Sequence, residues 1–161
     1  MTETTAWLPA LILLNDYGGN WDRYLEAIYE VFKKDFIDSR SKFGDRRVGI
    51  KRYPMDRGKE ATFWHLISEG RVEIDRIPDL RRCERIGWPK PMIESENSER
   101  IKIWKNTSRG ETRIVIALED FSYIVVLAER SDYMLLWTAY YVEWEHRRKK
   151  FEKEYRESSG V

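Results

Sequence analysis

Cysteine and histidine are scarce in this chain. Cys83 is the lone thiol, and His65 and His146 are the two imidazoles among 161 residues. An internal disulfide is excluded, and a structural zinc site has no ligand set to draw on. There is no glycine-rich phosphate loop, no metal-ligand spacing, no GxSxG turn and no convincing pair of carboxylates. A nucleotide-dependent or metal-dependent enzyme would carry such marks. Net charge is lacking too, since 29 basic and 28 acidic side chains leave +1. Nucleic-acid binding would therefore need a local basic patch. The apolar run "LPALILL" (8–14) is too short to span a bilayer and lacks the basic start and cleavage site of a signal peptide. The expectation is a cytoplasmic protein without a membrane segment.

Aromatic residues are abundant, with seven Trp and nine Tyr, which rules out a disordered tail and gives a single domain a real core. "NWDRYLEAIYEVFKKDF" (20–36) places Trp21, Tyr24, Leu25, Ile28, Phe32 and Phe36 on one helical stripe, with Asn20 as its cap. "DSRSKFGDRR" (38–47) reads as a polar loop, and "VGIKRYP" (48–54) as a short strand ending at Pro54. Glu60 to Glu69 reads as a helix stopped by Gly70. Pro78 suits the first turn of a second short helix, which should stop near Ile86–Gly87. "WPKPMIE" (88–94) is predicted to be extended, because proline disfavours helix in the residue before it.

From residue 100 the period changes to that of strands. "RIKIWKN", "TRIVIALED", "SYIVVLAER" and "YMLLWTAYYV" are separated by hairpin-length turns. "EWEHRRKKFEKEYRE" (143–157) returns to helix, with Trp144, Phe151 and Tyr155 on one side. The predicted class is α+β: N-terminal helices packed on a four-stranded antiparallel meander, with a C-terminal helix.

Three stretches carry candidate chemistry. On a wheel of about 100° per residue, His65 in "GKEATFWHLISEG" (58–70) falls opposite Phe63, Trp64, Leu66 and Ile67, beside Ala61, Ser68 and Glu69. A carboxylate four residues on orients an imidazole and favours its charged form. An ordinary polar-face histidine with a helix ion pair fits the same pattern. In "DLRRCERI", Arg81, Arg82 and Arg85 share one arc if Leu80, Cys83 and Ile86 face inward. An anion such as phosphate relieves their repulsion, although Asp79 and Glu84 can serve as counter-ions on a solvated face. Arg46, Arg47, Lys51 and Arg52 form a second, weaker basic cluster. In "LLWTAYY" (135–141), Thr138 and Tyr140 project to one face at period two, and their hydroxyls could bind a phosphate oxygen. Strand preference alone also accounts for them. His146, in "EHRRKK", reads as a surface residue.

The order of these elements resembles the barnase–EndoU–colicin–RelE (BECR) superfamily, its phage-associated branch in particular. The helix carrying "FWH", the Arg-rich helix, "IGWPKPMIE", the meandering strands and the late "LLWTAYY" carry the likeness, from about Glu60 to Val142. It implies one BECR-like domain over 1–161, with a helical N-terminal extension (1–57), a nuclease-like core (58–142) and a C-terminal helix (143–161). The implied activity is metal-independent endoribonuclease chemistry without a cofactor, by attack of a 2′-hydroxyl on the adjacent phosphate. RNA is the implied partner, and a toxin or phage-related effector with a protein inhibitor or antitoxin is the implied setting. His65 would be the base or acid, Arg81 or Arg82 the phosphate-stabilising cation, and Thr138 the group that holds the phosphate or His65. Several members carry a second histidine near the first. None is present here, so the partner falls to Glu69, Lys51, a tyrosine or an arginine. Arg81, Arg85, Lys51 and Tyr140 would bind substrate around the His65, Arg82, Thr138 and Glu69 centre. The alternatives are a non-catalytic RNA-binding module, and a protein-interaction module or homodimer joined through the aromatic C-terminal helix.

Overall fold

The computed structural model describes residues 3–70 and 76–158. The ends of the predicted N-terminal extension (1–2) and C-terminal helix (159–161) lie outside the described residues, as do residues 71–75 of the predicted core. Asn20 opens helix α1 (Trp21–Phe36) by accepting from the Arg23 amide at 3.1 Å. It thereby satisfies one of the amides that a helix start leaves without a partner. Tyr24, Leu25, Ile28, Phe32 and Phe36 are buried, as a stripe at that spacing requires.

The loop predicted for residues 38–47 is instead a hairpin. Strands β1 (Ser41–Phe43) and β2 (Arg46–Gly49) pair antiparallel, and Gly44 supplies the left-handed φ of +61° at the turn between them. Such short, basic strands carry too little hydrophobic alternation to read as strands. They also make the N-terminal region a contributor of strands as well as helix.

Helix α2 (Ala61–Ile67) is followed by β3 (Ser68–Glu69), which pairs with β4 (Ile77–Pro78) as a separate two-stranded ribbon. Pro78 thus precedes helix α3 (Leu80–Glu84) rather than opening it. Asp79 is the cap, accepting from the Arg81 and Arg82 amides. The predicted extended segment 88–94 is helix α4 (Pro89–Glu94). Pro89 and Pro91 both fall in its first turn, where amides have no intrahelical partner, so neither ring costs a hydrogen bond.

Strands β5 (Ile101–Ser108), β6 (Glu111–Leu118), β7 (Tyr123–Glu129) and β8 (Met134–Tyr141) pair antiparallel in sequence order, and helix α5 (Glu145–Glu157) follows. The predicted four-stranded sheet is a six-stranded one in the order β1-β2-β8-β7-β6-β5, with β2 parallel to β8. The class is α+β. Along β6 and β7 the period of two feeds two cores. Ile114, Ile116, Val125 and Leu127 join α1, α2 and α4 on one face, while Val115, Ala117, Ile124 and Val126 join Trp104 beneath α5 on the other. Phe151 and Tyr155 of α5 pack on that second face. Trp144, placed by the sequence on the same side, instead precedes the helix and is 60% exposed. Among the described residues no helix is long and apolar enough to cross a membrane.

One detail of this sheet positions the site. β2 meets β8 at only two pairs, Val48 with Met134 and Gly49 with Leu135. Beyond Leu135, β8 has a strand on one side only, and α2 and α3 occupy the other.

Candidate functional site

Helix α2 is buried nearly all round. Ala61, Thr62, Phe63, Trp64, Leu66 and Ile67 are all inside, and His65 alone is half-buried. The polar arc predicted for Ala61 and Ser68 is therefore corrected, since both are only 2% exposed. The helix is wedged between α1, where Phe63 packs on Tyr29 and Phe32, and the open edge of β8. His65 looks outward through the remaining gap.

The end of α2 leaves carbonyls without intrahelical donors. Guanidinium groups supply them. Arg82 Nη1 donates to Ser68 O at 2.6 Å and to His65 O at 3.3 Å. Arg76 donates to His65 O, Ser68 O and Gly70 O, and through Nε to Ser68 Oγ at 3.2 Å. Thr138 Oγ1 adds a third donor to His65 O at 3.3 Å. Charge-assisted bonds of this kind contribute about 1.5–3 kcal/mol each, so the His65 backbone is firmly located.

The register of β8 against β7 shifts between Val126 and Leu127. Val126 faces Thr138 and Leu127 faces Leu136, which leaves Trp137 as the extra residue of a bulge. A bulge turns two successive side chains toward one face. Here Trp137 and Thr138 both reach the cavity, and Tyr140 follows at period two. The Trp137 ring meets the His65 ring edge-on at 6.1 Å, and the Arg113 guanidinium covers it at 5.0 Å.

The result is an open cavity of about 330 Å³ lined by His65, Glu69, Arg76, Arg82, Trp137, Thr138 and Tyr140. The sequence pointed to five of these, from three distant stretches, and the fold brings the five together. Burial holds the Arg82 guanidinium below its ordinary pKa, with Asp79 and Glu69 opposing that shift. Burial also pushes the Tyr140 phenol up, against the pull of Arg147 and Arg82. Arg82 lies 5.4 Å and Arg147 5.8 Å from the Tyr140 ring centre. Among the described residues the lining carries the Glu69 carboxylate, two guanidiniums and an imidazole. The size suits a phosphate with one attached ring.

Other candidates lie elsewhere. Arg81 points outward and pairs with Glu84 at 3.2 Å. Arg85 is buried over the Tyr141 ring at 4.2 Å and the Trp88 ring at 5.1 Å. The three arginines thus diverge rather than share an arc, because α3 is a single turn packed on both sides. Lys51 is exposed and off the cavity lining, although its amide donates to Thr62 Oγ1 at 2.7 Å and steadies the start of α2. Its cluster is dispersed as well, with Arg46 on the Tyr133 carbonyl at 3.2 Å and Arg52 paired with Glu60 at 3.6 Å. His146 is exposed.

Arg76 and Trp137 were not foreseen. Arg76 stands apart from the arginine cluster of "DLRRCERI", and Trp137 reads as one more core residue of an apolar strand unless the bulge is known. Among the described residues no group of three or more His, Cys, Asp and Glu could hold a metal ion. Compared with protein-family models, with curated proteins and with solved structures, the chain has no match in any of the three.

Proposed function

We propose that this protein is a metal-independent endoribonuclease of the BECR type, with its active site in the His65 cavity. One observation carries the reading: an imidazole, a guanidinium and a strand hydroxyl, 73 residues apart at their extremes, line the same solvent-open pocket. Transesterification needs a base for the 2′-hydroxyl, an acid for the departing 5′-oxygen and cations for the phosphorane charge. In the proposed reaction His65 takes the 2′-hydroxyl proton as the 2′-oxygen bonds to phosphorus. The P–O5′ bond breaks, and the protonated Tyr140 phenol gives its proton to the leaving oxygen. The products are a 2′,3′-cyclic phosphate and a 5′-hydroxyl. Arg82 and Arg76 offset the developing charge, Thr138 holds the His65 backbone in place, and Trp137 offers a ring for a base. Glu69 orients His65 or relays its proton.

The deciding experiment is cleavage of a mixed-sequence RNA in EDTA, with the termini identified. Cleavage to cyclic phosphates, reduced at least about 100-fold in His65→Ala, supports the proposal. Undiminished cleavage by His65→Ala, or dependence on a divalent ion, would sink it. RNA that binds in a steeply salt-dependent manner and stays intact would favour the non-catalytic RNA-binding alternative.

A further inference from the structure

Arg76 has a cavity on either side. One is the His65 cavity. The other, of about 470 Å³, is lined by Pro54, Asp56, Arg57, Trp64, Arg76 and Pro78. Successive residues of α2, Trp64 and His65, thus line two cavities that share Arg76.

The turn that carries Arg57 has a conformation that arginine rarely adopts. Asp56 and Lys59 exchange backbone hydrogen bonds of 3.0 and 2.9 Å, and the two residues between them, Arg57 and Gly58, have φ of +51° and +76°. Positive φ at both central positions is the type I′ geometry, which favours Asn or Gly at the first. A residue with a long side chain there costs about 1–2 kcal/mol. The arginine projects its guanidinium over the Trp64 ring at 4.3 Å. Trp64 itself is fixed, since its Nε1 donates to Asp56 O at 3.1 Å, whereas Arg57 is exposed. The guanidinium is also paired with Asp56 at 3.4 Å on the surface, and an indole under an exposed planar cation is a stacking place for a nucleobase.

We propose that the Arg57–Trp64 cavity is a second nucleotide subsite, continuous with the His65 cavity across Arg76. The substrate is then single-stranded RNA of at least two nucleotides, with the scissile phosphate at His65 and a neighbouring base between Arg57 and Trp64. This proposal rests on the ribonuclease reading above. Base-paired RNA cannot supply that base without unstacking it.

The test uses Arg57→Asn, because asparagine suits the turn and removes only the guanidinium. Two probes are titrated at fixed salt: uridine 3′-phosphate, and a tetranucleotide RNA made uncleavable by 2′-O-methylation. The wild-type protein should bind the tetranucleotide about tenfold tighter, the scale of one stacked base. Arg57→Asn should lose most of that advantage, keep its affinity for the mononucleotide and melt no lower than wild type. An Arg57→Asn variant that matches wild type on the tetranucleotide, or weakens equally on both probes, overturns the subsite. So does a duplex of the same sequence that binds as tightly as the single strand. Intact two-probe discrimination without any RNA cleavage would retire the ribonuclease reading and leave the subsite standing. Binding of neither probe would overturn both.

Discussion

The Thr138 hydroxyl donates to the His65 carbonyl across 3.3 Å, tying the bulged part of β8 to the last turn of α2. Arg76 and Arg82 also donate to that carbonyl, so the bond is one of three. Thr138→Val keeps the branched shape and deletes the donor. We expect a loss of about 1 kcal/mol, which lowers Tm by roughly 2–4 °C in a chain of this size. Because the bond locates the residue that carries the proposed base, kcat/KM on RNA should fall about tenfold, the worth of one hydrogen bond. Thr138→Ser should recover both. Full activity in the valine variant would remove Thr138 from the site.

Tyr140 is assigned the leaving-group proton because its phenol lines the cavity, with Arg82 and Arg147 beside its ring. Tyr140→Phe should cut RNA cleavage by about 100-fold or more while leaving the fold intact. The same variant should turn over a uridine 3′-aryl phosphate at close to the wild-type rate, because an aryl oxide leaves without an acid. Equal losses on both substrates would show that Tyr140 shapes the cavity rather than donating a proton.

The α1 stripe was fully legible in the sequence because a 16-residue helix repeats its pattern over four turns. His65 and Thr138 were legible as candidates because each is a polar group set in an apolar stretch, and Arg82 because it belongs to a cluster of arginines. What escaped the sequence was set by pairing over long range. The β1–β2 hairpin gains its stability from β8, and no local pattern announces that partner. The Trp137 bulge exists only in the register between β7 and β8. Arg81 and Arg85 diverge from Arg82 because α3 spans only five residues, Leu80–Glu84, and a wheel drawn for a longer helix exaggerates how much of their arc they share.

Asp35 gives a signed pH prediction. It lies in the last turn of α1, at the negative end of the helix dipole, and burial raises its carboxyl above the ordinary value, with Lys90 and Lys34 opposing. A raised carboxyl binds its proton more tightly folded than unfolded, so its ionisation costs stability as pH rises through the folded value. Asp35→Asn should therefore stabilise the protein at pH 7 by about 0.5 kcal/mol. The advantage should shrink as pH falls through the acid range. Urea midpoints at pH 7 and pH 3 check it, and a gain that grows on acidification would contradict the assignment.

Helix α5 has no buried residue and is held by few groups. Glu154 Oε1 accepts from Trp104 Nε1 at 3.0 Å and from Asn106 Nδ2 at 2.8 Å, and the Trp104 ring lies wholly in the core. Glu154→Leu strands the indole N–H, which costs about 1–3 kcal/mol. Limited proteolysis should then cut within α5 well before it cuts β5–β8. Resistance equal to wild type would mean that Phe151 and Tyr155 suffice to dock the helix.

The parallel pairing of β2 with β8 stops after Gly49 and Leu135. Chain that leaves β2 at Ile50 crosses to the start of α2 instead, and α2 and α3 take the flank of β8 that a longer ladder would have covered. Two or three more rungs would have to evict α2, and with it the imidazole that the helix carries. A segment engineered to prolong β2 would thus dismantle the cavity from within.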